Sequence, residues 1–122
     1  MYRETIIRRY LNELSDGNTN GIISLFSDNA KVKSPVYGIM LATEFYTKLA
    51  EDTSSSEIKL LQIYQSITDY EKSDEWAACF NYKWTLLDGI LVDFDVVDLF
   101  KFNADNLITE LRIIYDLSLI HI

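Results

Sequence analysis

The sequence of 122 residues predicts an α+β domain, with helices packed on one face of an antiparallel sheet. Apolar residues at helical spacing are confined to the N-terminal half. Four long stretches rich in β-branched and aromatic residues follow Glu57, and Asp88-Gly89 separates two of them as a tight hairpin turn would. We therefore expect helices first, then a run of strands, in one domain spanning 1–122.

Three helices are predicted before the strands. The first, Arg3–Ser15, carries one apolar face: Ile6, Ile7, Tyr10, Leu11 and Leu14. A short second helix, capped by Thr19 or Asn20, carries Ile22, Ile23, Leu25 and Phe26. After it, Ala30–Ser34 alternates as a short strand that Pro35 ends, and Tyr37-Gly38 is typical of a turn. The third helix is predicted over Thr43–Leu49, and Asp52–Ser56 is expected to be a polar linker.

Four long strands are predicted in the C-terminal half, over Ile58–Tyr70, Glu75–Leu87, Leu91–Phe102 and Leu107–Leu119. Polar turn residues separate them at 72–74, at Asp88-Gly89 and at 103–106.

Composition and charge exclude several classes of function. A net charge of −8 argues against a nucleic-acid partner and against an anionic membrane surface. The charged segment Met1–Arg9 does not resemble a signal peptide, and no apolar run is long enough to span a membrane, so a soluble, cytoplasmic protein is expected. The only histidine, His121, stands next to the C-terminus, which argues against His-dependent triads and His-rich metal sites. We expect neither a metal nor a cofactor.

Asp98 is the most informative residue of the strand region. Because alternate residues of a strand share a face, Asp98 shares its face with five large apolar residues: Val92, Phe94, Val96, Phe100 and Phe102. A carboxylate in such a place is costly unless it is paired, so the group often becomes neutral, and a neutral carboxyl group can donate a hydrogen bond. Asp98 is therefore either a buried structural carboxyl group or part of a ligand site.

The order of these segments resembles the ketosteroid isomerase branch of the nuclear-transport-factor-2-like superfamily. The resemblance is carried by Tyr10, by DGNTNGIISLFSDNAKVKSPVYG (Asp16–Gly38), by EFY (Glu44–Tyr46) and by DVVDLFKF (Asp95–Phe102). It implies a cone-shaped, curved antiparallel sheet wrapped around three N-terminal helices (a cystatin-like roll), a deep apolar pocket, and a homodimer formed through the outer sheet face.

The resemblance also implies roles for particular residues. Tyr10 and Asp98 match the tyrosine and the protonated aspartic acid that form the family's oxyanion hole, a system that is itself a standard example of a carboxyl group kept neutral. Tyr46 matches a second tyrosine that hydrogen-bonds the first, and Tyr115 stands where the family often has an aromatic residue lining the pocket. The expected ligand-binding set is Ser34, Tyr46, Phe26, Tyr115, Phe94 and Val96.

The sequence departs from this family at the general base. The family has an aspartate before the proline that ends the first strand, and this chain has Ser34, whose hydroxyl is far too weak a base to abstract a proton from carbon. Phe26 likewise stands where the isomerase network can have another tyrosine. The sequence thus keeps a possible oxyanion hole but lacks the base.

A two-residue turn at Asp88-Gly89 would set the register of the hairpin. If Leu87 faces Ile90, then Cys79 lies opposite Asp98, and Asn81, Lys83 and Thr85 share the pocket face. Tyr82 and Trp84 would then lie on the outer face, suited to the dimer interface. A slip of one residue would instead turn Phe80, Tyr82 and Trp84 toward the pocket.

Three functions remain open at this point. The first is an isomerase, cyclase or dehydratase-type enzyme that transfers a proton on a small apolar carbonyl compound, with Tyr10 and Asp98 polarising its oxygen and a base other than Ser34. The second is a protein that binds an apolar ligand with one oxygen and does not turn it over. The third is a dimerisation domain whose cone is filled by its own aromatic side chains.

Overall fold

The computed structural model describes residues 2–67, 75–116 and 118, and within these ranges it confirms the α+β class. The helices are α1 (Tyr2–Asp16), α2 (Thr19–Ile23) and α3 (Ala42–Asp52). The strands are β1 (Phe26–Ser34), β2 (Gly38–Leu41), β3 (Thr53–Gln65), β4 (Glu75–Leu86), β5 (Leu91–Phe102) and β6 (Ile108–Ile114). The predicted turn at 72–74 and His121 lie outside the described residues.

The helix prediction was accurate for α1 and less so for α2. The predicted apolar face of α1 is buried, and Gly17, at φ 70°, ends the helix in the left-handed conformation that glycine adopts at little cost. The cap of α2 is Asn18, whose side chain accepts a hydrogen bond from the backbone N–H of Gly21, and not Thr19 or Asn20. Phe26 belongs to β1 and not to α2, because the chain becomes extended directly after Leu25.

The sheet has six strands in the order β2-β1-β6-β5-β4-β3. Neighbouring strands are antiparallel except for β1 and β6, which pair in parallel, so the sheet is mixed and not wholly antiparallel as expected. The four-residue strand β2 was not predicted, because a segment that short gives no clear alternation.

The predicted linker at 52–56 is not a linker. Helix α3 continues to Asp52, and β3 begins at Thr53. Hydroxyl groups of this segment form side-chain hydrogen bonds between β3 and β4. The indole N–H of Trp84 donates to Thr53 Oγ1 at 2.8 Å, and Ser56 Oγ lies 2.9 Å from the Tyr82 hydroxyl. Polar composition alone therefore misplaced the start of β3.

The register of the β4–β5 hairpin differs by one residue from the register that a two-residue turn would give. The pairing expected from the sequence was therefore wrong. Ala78, not Cys79, lies opposite Asp98, and Thr85 pairs with Leu91. The reason is the loop, which has three residues between Leu86 and Ile90 and ends on Gly89 at φ 88°. Phe80, Tyr82 and Trp84 are consequently buried on the inner face, so Tyr82 and Trp84 cannot form an outer interface.

The core lies between the inner face of the sheet and the helices. Tyr10 of α1 packs edge-on against Phe100 of β5 at 5.4 Å between ring centroids, and Phe45 and Tyr46 of α3 are buried with it. None of the helices in the described part of the chain combines the length and the apolar character needed to cross a membrane.

The hairpin loop offers a test of the observed register. Replacing Gly89 by Ala should lower the free energy of unfolding by about 1 kcal/mol, because alanine is strained at φ 88° although no atom lies near the added methyl group. Urea denaturation measures this change, and Leu87→Ala in the same exposed loop is the control that should change it little. A Gly89→Ala protein as stable as the parent would contradict the loop conformation.

Candidate functional site

Asp98 lies at the centre of the inner sheet face. Its neighbours across the sheet are Ala78 on β4 and Ile113 on β6, and its neighbours along the same face of β5 are Val96 and Phe100. The residue is 1% exposed and is the only polar or charged residue in the buried class among the described residues. Its Oδ1 atom is buried and has no hydrogen-bond partner among them. The alternation of β5 predicted this position.

Burial raises the pKa of the Asp98 carboxyl group well above its usual value. The group is therefore held toward its neutral form, in which one oxygen carries a proton that it can donate. A buried polar atom without a partner is unfavourable by roughly 1–3 kcal/mol. This carboxyl group thus has a hydrogen-bonding capacity that the surrounding protein leaves unused.

Tyr10 and Tyr46 form a buried pair of hydroxyl groups beside this face. Their hydroxyl oxygens lie 2.5 Å apart, and either one can be the donor. Burial is the main cause that raises the pKa of both hydroxyls well above 10, and Asp98 acts in the same direction only in its ionised form. If Tyr46 donates to Tyr10, the Tyr10 proton remains available for another acceptor.

Tyr10 and Asp98 both line an aromatic cavity of about 40 Å³. Most of the lining residues are apolar or aromatic: Tyr10, Leu14, Ser34, Tyr37, Phe45, Leu49, Phe80, Tyr82, Trp84, Phe94, Val96, Asp98, Ile113 and Tyr115. Ligand pockets usually measure about 300–1,000 Å³, so this cavity is far smaller than one that encloses a whole ring system. The narrowness follows from the register, which turns three large aromatic residues of β4 inward.

The sequence-predicted ligand residues fall into two groups in the structure. Ser34, Phe94, Val96 and Tyr115 line the cavity. Phe26 and Tyr46 do not line it and instead support Tyr10, with ring centroids 6.1 Å from that of Tyr10 in both cases.

Two further tyrosine hydroxyls belong to the cavity wall. Burial raises the pKa of Tyr82 to about 12, and the hydroxyl of this residue pairs with Ser56. Burial likewise raises the pKa of Tyr115 to about 12, against the opposite effect of a backbone hydrogen bond from Val36. Both hydroxyls remain protonated near neutral pH and can only take part as neutral hydrogen-bonding groups.

Ser34 stands at the end of β1, where the resemblance placed the missing base. Its Oγ accepts a hydrogen bond from the backbone N–H of Tyr37 at 3.0 Å, which closes the turn over Pro35. The serine thus has a structural role in this turn in addition to lining the cavity.

Sequence reasoning missed the group that stands next to Ser34. Tyr37 lines the cavity, and its hydroxyl donates to Asp52 Oδ2 at 2.6 Å. Lys48 Nζ lies 3.6 Å from the same oxygen. The turn residue Tyr37 and the polar segment containing Asp52 gave no signal of this contact, although an aromatic residue so close to Ser34 was a reason to look for one.

A larger hollow of about 330 Å³ lies on the other side of Leu14 and Leu49, near the ends of α1 and α3. It is lined partly by Thr53 and the three serines that follow it. Within the described residues, no group of three or more His, Cys, Asp or Glu side chains is arranged to hold a metal ion.

The titration of Asp98 can be measured through stability. The folded protein keeps a proton that the unfolded chain loses above a pKa of about 3.9, so the free energy of unfolding should fall as the pH rises from there to the raised pKa of the folded state. The stabilising contribution of the Asp98 proton is fully present below the unfolded pKa. Between the two pKa values, the free energy of unfolding falls by about 1.4 kcal/mol per pH unit.

Asp98→Asn should remove this slope, measured by denaturant unfolding from pH 5 upward. Asp93→Asn on the exposed face of β5 is the matched control that should keep it. Equal pH dependence of the parent and the Asp98→Asn protein would show that Asp98 is already ionised in the fold.

Comparison with known proteins identifies the fold. No family model matches the sequence, and no curated protein matches it either. Among solved structures, the epoxide hydrolase/cyclase-like enzyme SalBIII, which has a role in pyran ring formation in the polyether salinomycin, is similar with a TM-score of 0.80 and 14% identity over 96% of this chain and 92% of that chain.

Two further solved structures show the same similarity. An NTF2-like protein of unknown function from Exiguobacterium sp. 255-15 gives a TM-score of 0.76 and 19% identity over 91% of this chain and 98% of that one. A Mycobacterium tuberculosis protein in complex with estradiol-17β-hemisuccinate gives a TM-score of 0.76 and 15% identity over 94% of each chain. The chain therefore has the nuclear-transport-factor-2-like fold, as the sequence resemblance predicted.

Proposed function

We propose that this protein binds a small, largely apolar molecule that carries a carbonyl or hydroxyl oxygen, and that Tyr10 and Asp98 donate hydrogen bonds to this oxygen. The observation that carries the proposal is the unpartnered carboxyl group of Asp98 at the wall of an aromatic cavity. An acceptor oxygen of a ligand would satisfy it and would remove the cost of its burial.

The chemistry of the site favours a ligand oxygen that carries a negative charge, or one that becomes negatively charged during a reaction. Both donors are buried in an apolar surrounding, where a hydrogen bond to an anionic oxygen is stronger than in water. A carbonyl compound bound there would have its oxygen polarised toward an enolate. The complex of the M. tuberculosis neighbour with estradiol-17β-hemisuccinate supports the idea that this fold can hold such a molecule.

The identity of Ser34 narrows the proposal. Because serine cannot replace the carboxylate base, standard ketosteroid isomerisation is not the expected reaction. A protein that binds the ligand without turnover would use the same two donors, Tyr10 and Asp98. It would differ from an enzyme only in having no residue that accepts a proton from the ligand.

A phenol tests the binding proposal, since its narrow oxygen end can enter the cavity while its ring extends toward the rim. 4-Nitrophenol should bind the parent protein and quench the fluorescence of Trp84, which lines the cavity. Tyr10→Phe and Asp98→Leu should each weaken binding roughly 10- to 100-fold, the loss of one hydrogen bond to a charged group.

Asp98→Leu should not reduce stability, because an apolar side chain of similar shape replaces an unsatisfied polar one. Tyr64→Phe, on an exposed residue outside the cavity, is the control and should leave the affinity unchanged. Equal affinity of the parent and Asp98→Leu would refute the proposed site.

We also propose that two copies pair through the outer sheet face. Six apolar residues in two adjacent rows form a patch there: Tyr64, Ala77, Cys79, Val97, Leu99 and Ile114. Tyr64, Leu99 and Ile114 of this patch are between 38% and 54% exposed, which is unusual for large apolar side chains grouped together.

The charges around the patch favour a second copy of the chain as its partner. Beyond one end of the patch, the carboxylates of Glu57, Asp93 and Asp95 outnumber the cations Lys59 and Lys83. At the other end, four cations outnumber Glu75 and Glu110: Lys31, Lys33, Lys101 and Arg112. A two-fold axis in the interface plane and perpendicular to the strands would place the acidic end of one copy over the basic end of the other.

Sedimentation of two variants tests this pairing. Leu99→Arg at the centre of the patch should convert a dimer into a monomer, because it places an unpaired charge in the apolar contact. Leu87→Arg, on an exposed apolar residue of the β4–β5 loop, is the control and should not change the mass. A parent protein that sediments as a monomer at high concentration would exclude the pairing.

A further inference from the structure

We propose that Tyr37 and Asp52 form a proton relay that supplies the basic function missing at Ser34. The inference rests on the proposed function, since it requires a carbonyl oxygen held by Tyr10 and Asp98. It adds a catalytic residue, Tyr37, and a route by which a proton leaves the cavity.

Tyr37 is held in place at the cavity wall. Its backbone N–H is bonded to Ser34 Oγ at 3.0 Å, and its ring packs edge-on against that of Phe45, with centroids 5.6 Å apart. Tyr37 and Ser34 line the same cavity as Tyr10 and Asp98. A group at Tyr37 is therefore positioned beside the place where the resemblance predicted a base.

The hydroxyl of Tyr37 connects the cavity wall to a carboxylate that does not line the cavity. Asp52 is the last residue of α3, and its Oδ2 accepts the hydrogen bond of Tyr37 at 2.6 Å. The Asp52 side chain is 35% exposed, so its carboxylate meets solvent. Lys48, one helical turn earlier, lies 3.6 Å from Oδ2 and 5.9 Å from the centroid of the Tyr37 ring, and helps to fix the pair.

The relay moves one proton in two linked transfers. The proton on the carbon next to the carbonyl passes to the Tyr37 oxygen, while the proton of Tyr37 passes to Asp52 Oδ2. The electron pair of the broken C–H bond forms the C=C bond of an enolate, whose oxygen is stabilised by Tyr10 and Asp98. The reverse steps return a proton to carbon, so no oxidant, reductant or second substrate is needed.

Tyr37 suits this role better than the other cavity residues. Burial, followed by the hydrogen bond to Asp52, raises the pKa of the Tyr37 hydroxyl well above 10, so this hydroxyl is protonated at rest. It therefore accepts a proton from the substrate only while it gives its own proton to Asp52. Asp98, held toward its neutral form by burial, is a donor and a poor base. Among the described residues that line the cavity, only Tyr37 donates a side-chain hydrogen bond to a carboxylate, whereas Tyr82 pairs with Ser56.

Exchange of the methyl protons of acetone in D₂O, followed by proton NMR, tests the relay. Acetone is the smallest ketone and so needs the least room beside Tyr10 and Asp98. While the enolate is bound, the hydrogen atoms on Tyr37 and Asp52 exchange with D₂O, so the return step delivers a deuteron to carbon in place of the proton that left. The parent protein should accelerate the exchange over the protein-free rate. Tyr37→Phe and Asp52→Asn should each slow it by about a hundredfold, within the range of general acid–base catalysis.

Both variants keep the shape of the side chain, and both should bind 4-nitrophenol within about twofold of the parent, since the donors to its oxygen are intact. This separation of rate from affinity would not arise from a merely structural role. Tyr2→Phe and Asp28→Asn, on exposed residues outside both the cavity and the outer-face patch, are the matched controls and should exchange acetone as fast as the parent.

Two different results would overturn the two proposals. If Tyr37→Phe and Asp52→Asn exchange acetone as fast as the parent, or if the parent is no faster than Asp98→Leu, the relay is wrong. The binding site would stand in that case as long as Asp98→Leu still weakens 4-nitrophenol. If Asp98→Leu binds 4-nitrophenol like the parent, the proposed function fails, whatever the acetone rates.

Discussion

The burial of one carboxyl group on an apolar sheet face is the constraint on which the site depends. Asp98 is flanked along and across the strands by side chains that offer it no hydrogen bond. Its Oδ1 has no hydrogen-bond partner among the described residues, and Asp98 lines the same cavity as Tyr10 and Tyr37. The fold tolerates this cost because the surrounding aromatic and aliphatic packing is extensive. Under the proposed function, Asp98 lowers stability and provides binding at the same position, a conflict that is common at functional sites.

The position of Asp98 was predictable from sequence because the side chains of a strand alternate strictly, whatever the tertiary structure. The same holds for the apolar face of α1, which a period of 3.6 residues defines. The pairing of β4 with β5 was not predictable in the same way. It depended on whether the loop at Asp88-Gly89 has two or three residues, and one residue of difference exchanges the two faces of a strand.

The Tyr37–Asp52 pair shows a second limit of sequence reasoning. It joins a turn residue to the last residue of a helix, and neither position belongs to a periodic pattern. The parallel pairing of β1 with β6 was missed for a similar reason, because it joins strands that are far apart in the sequence. Local propensity carries no information on such pairings, whereas the resemblance to a known fold did place Tyr10, Tyr46 and Asp98 near one another.

The parallel pairing also bears on the order in which the protein folds. β1 obtains one neighbour from the adjacent β2, but the other comes from β6, where Lys31 meets Glu110 near the end of the chain. Closing so long a loop is entropically costly, and contacts of this kind slow folding. On the ribosome, β1 must wait without its second neighbour until β6 has been synthesised. Until then Asp98 lacks its neighbour Ile113, so its carboxyl group is less buried and ionises more easily than in the complete sheet.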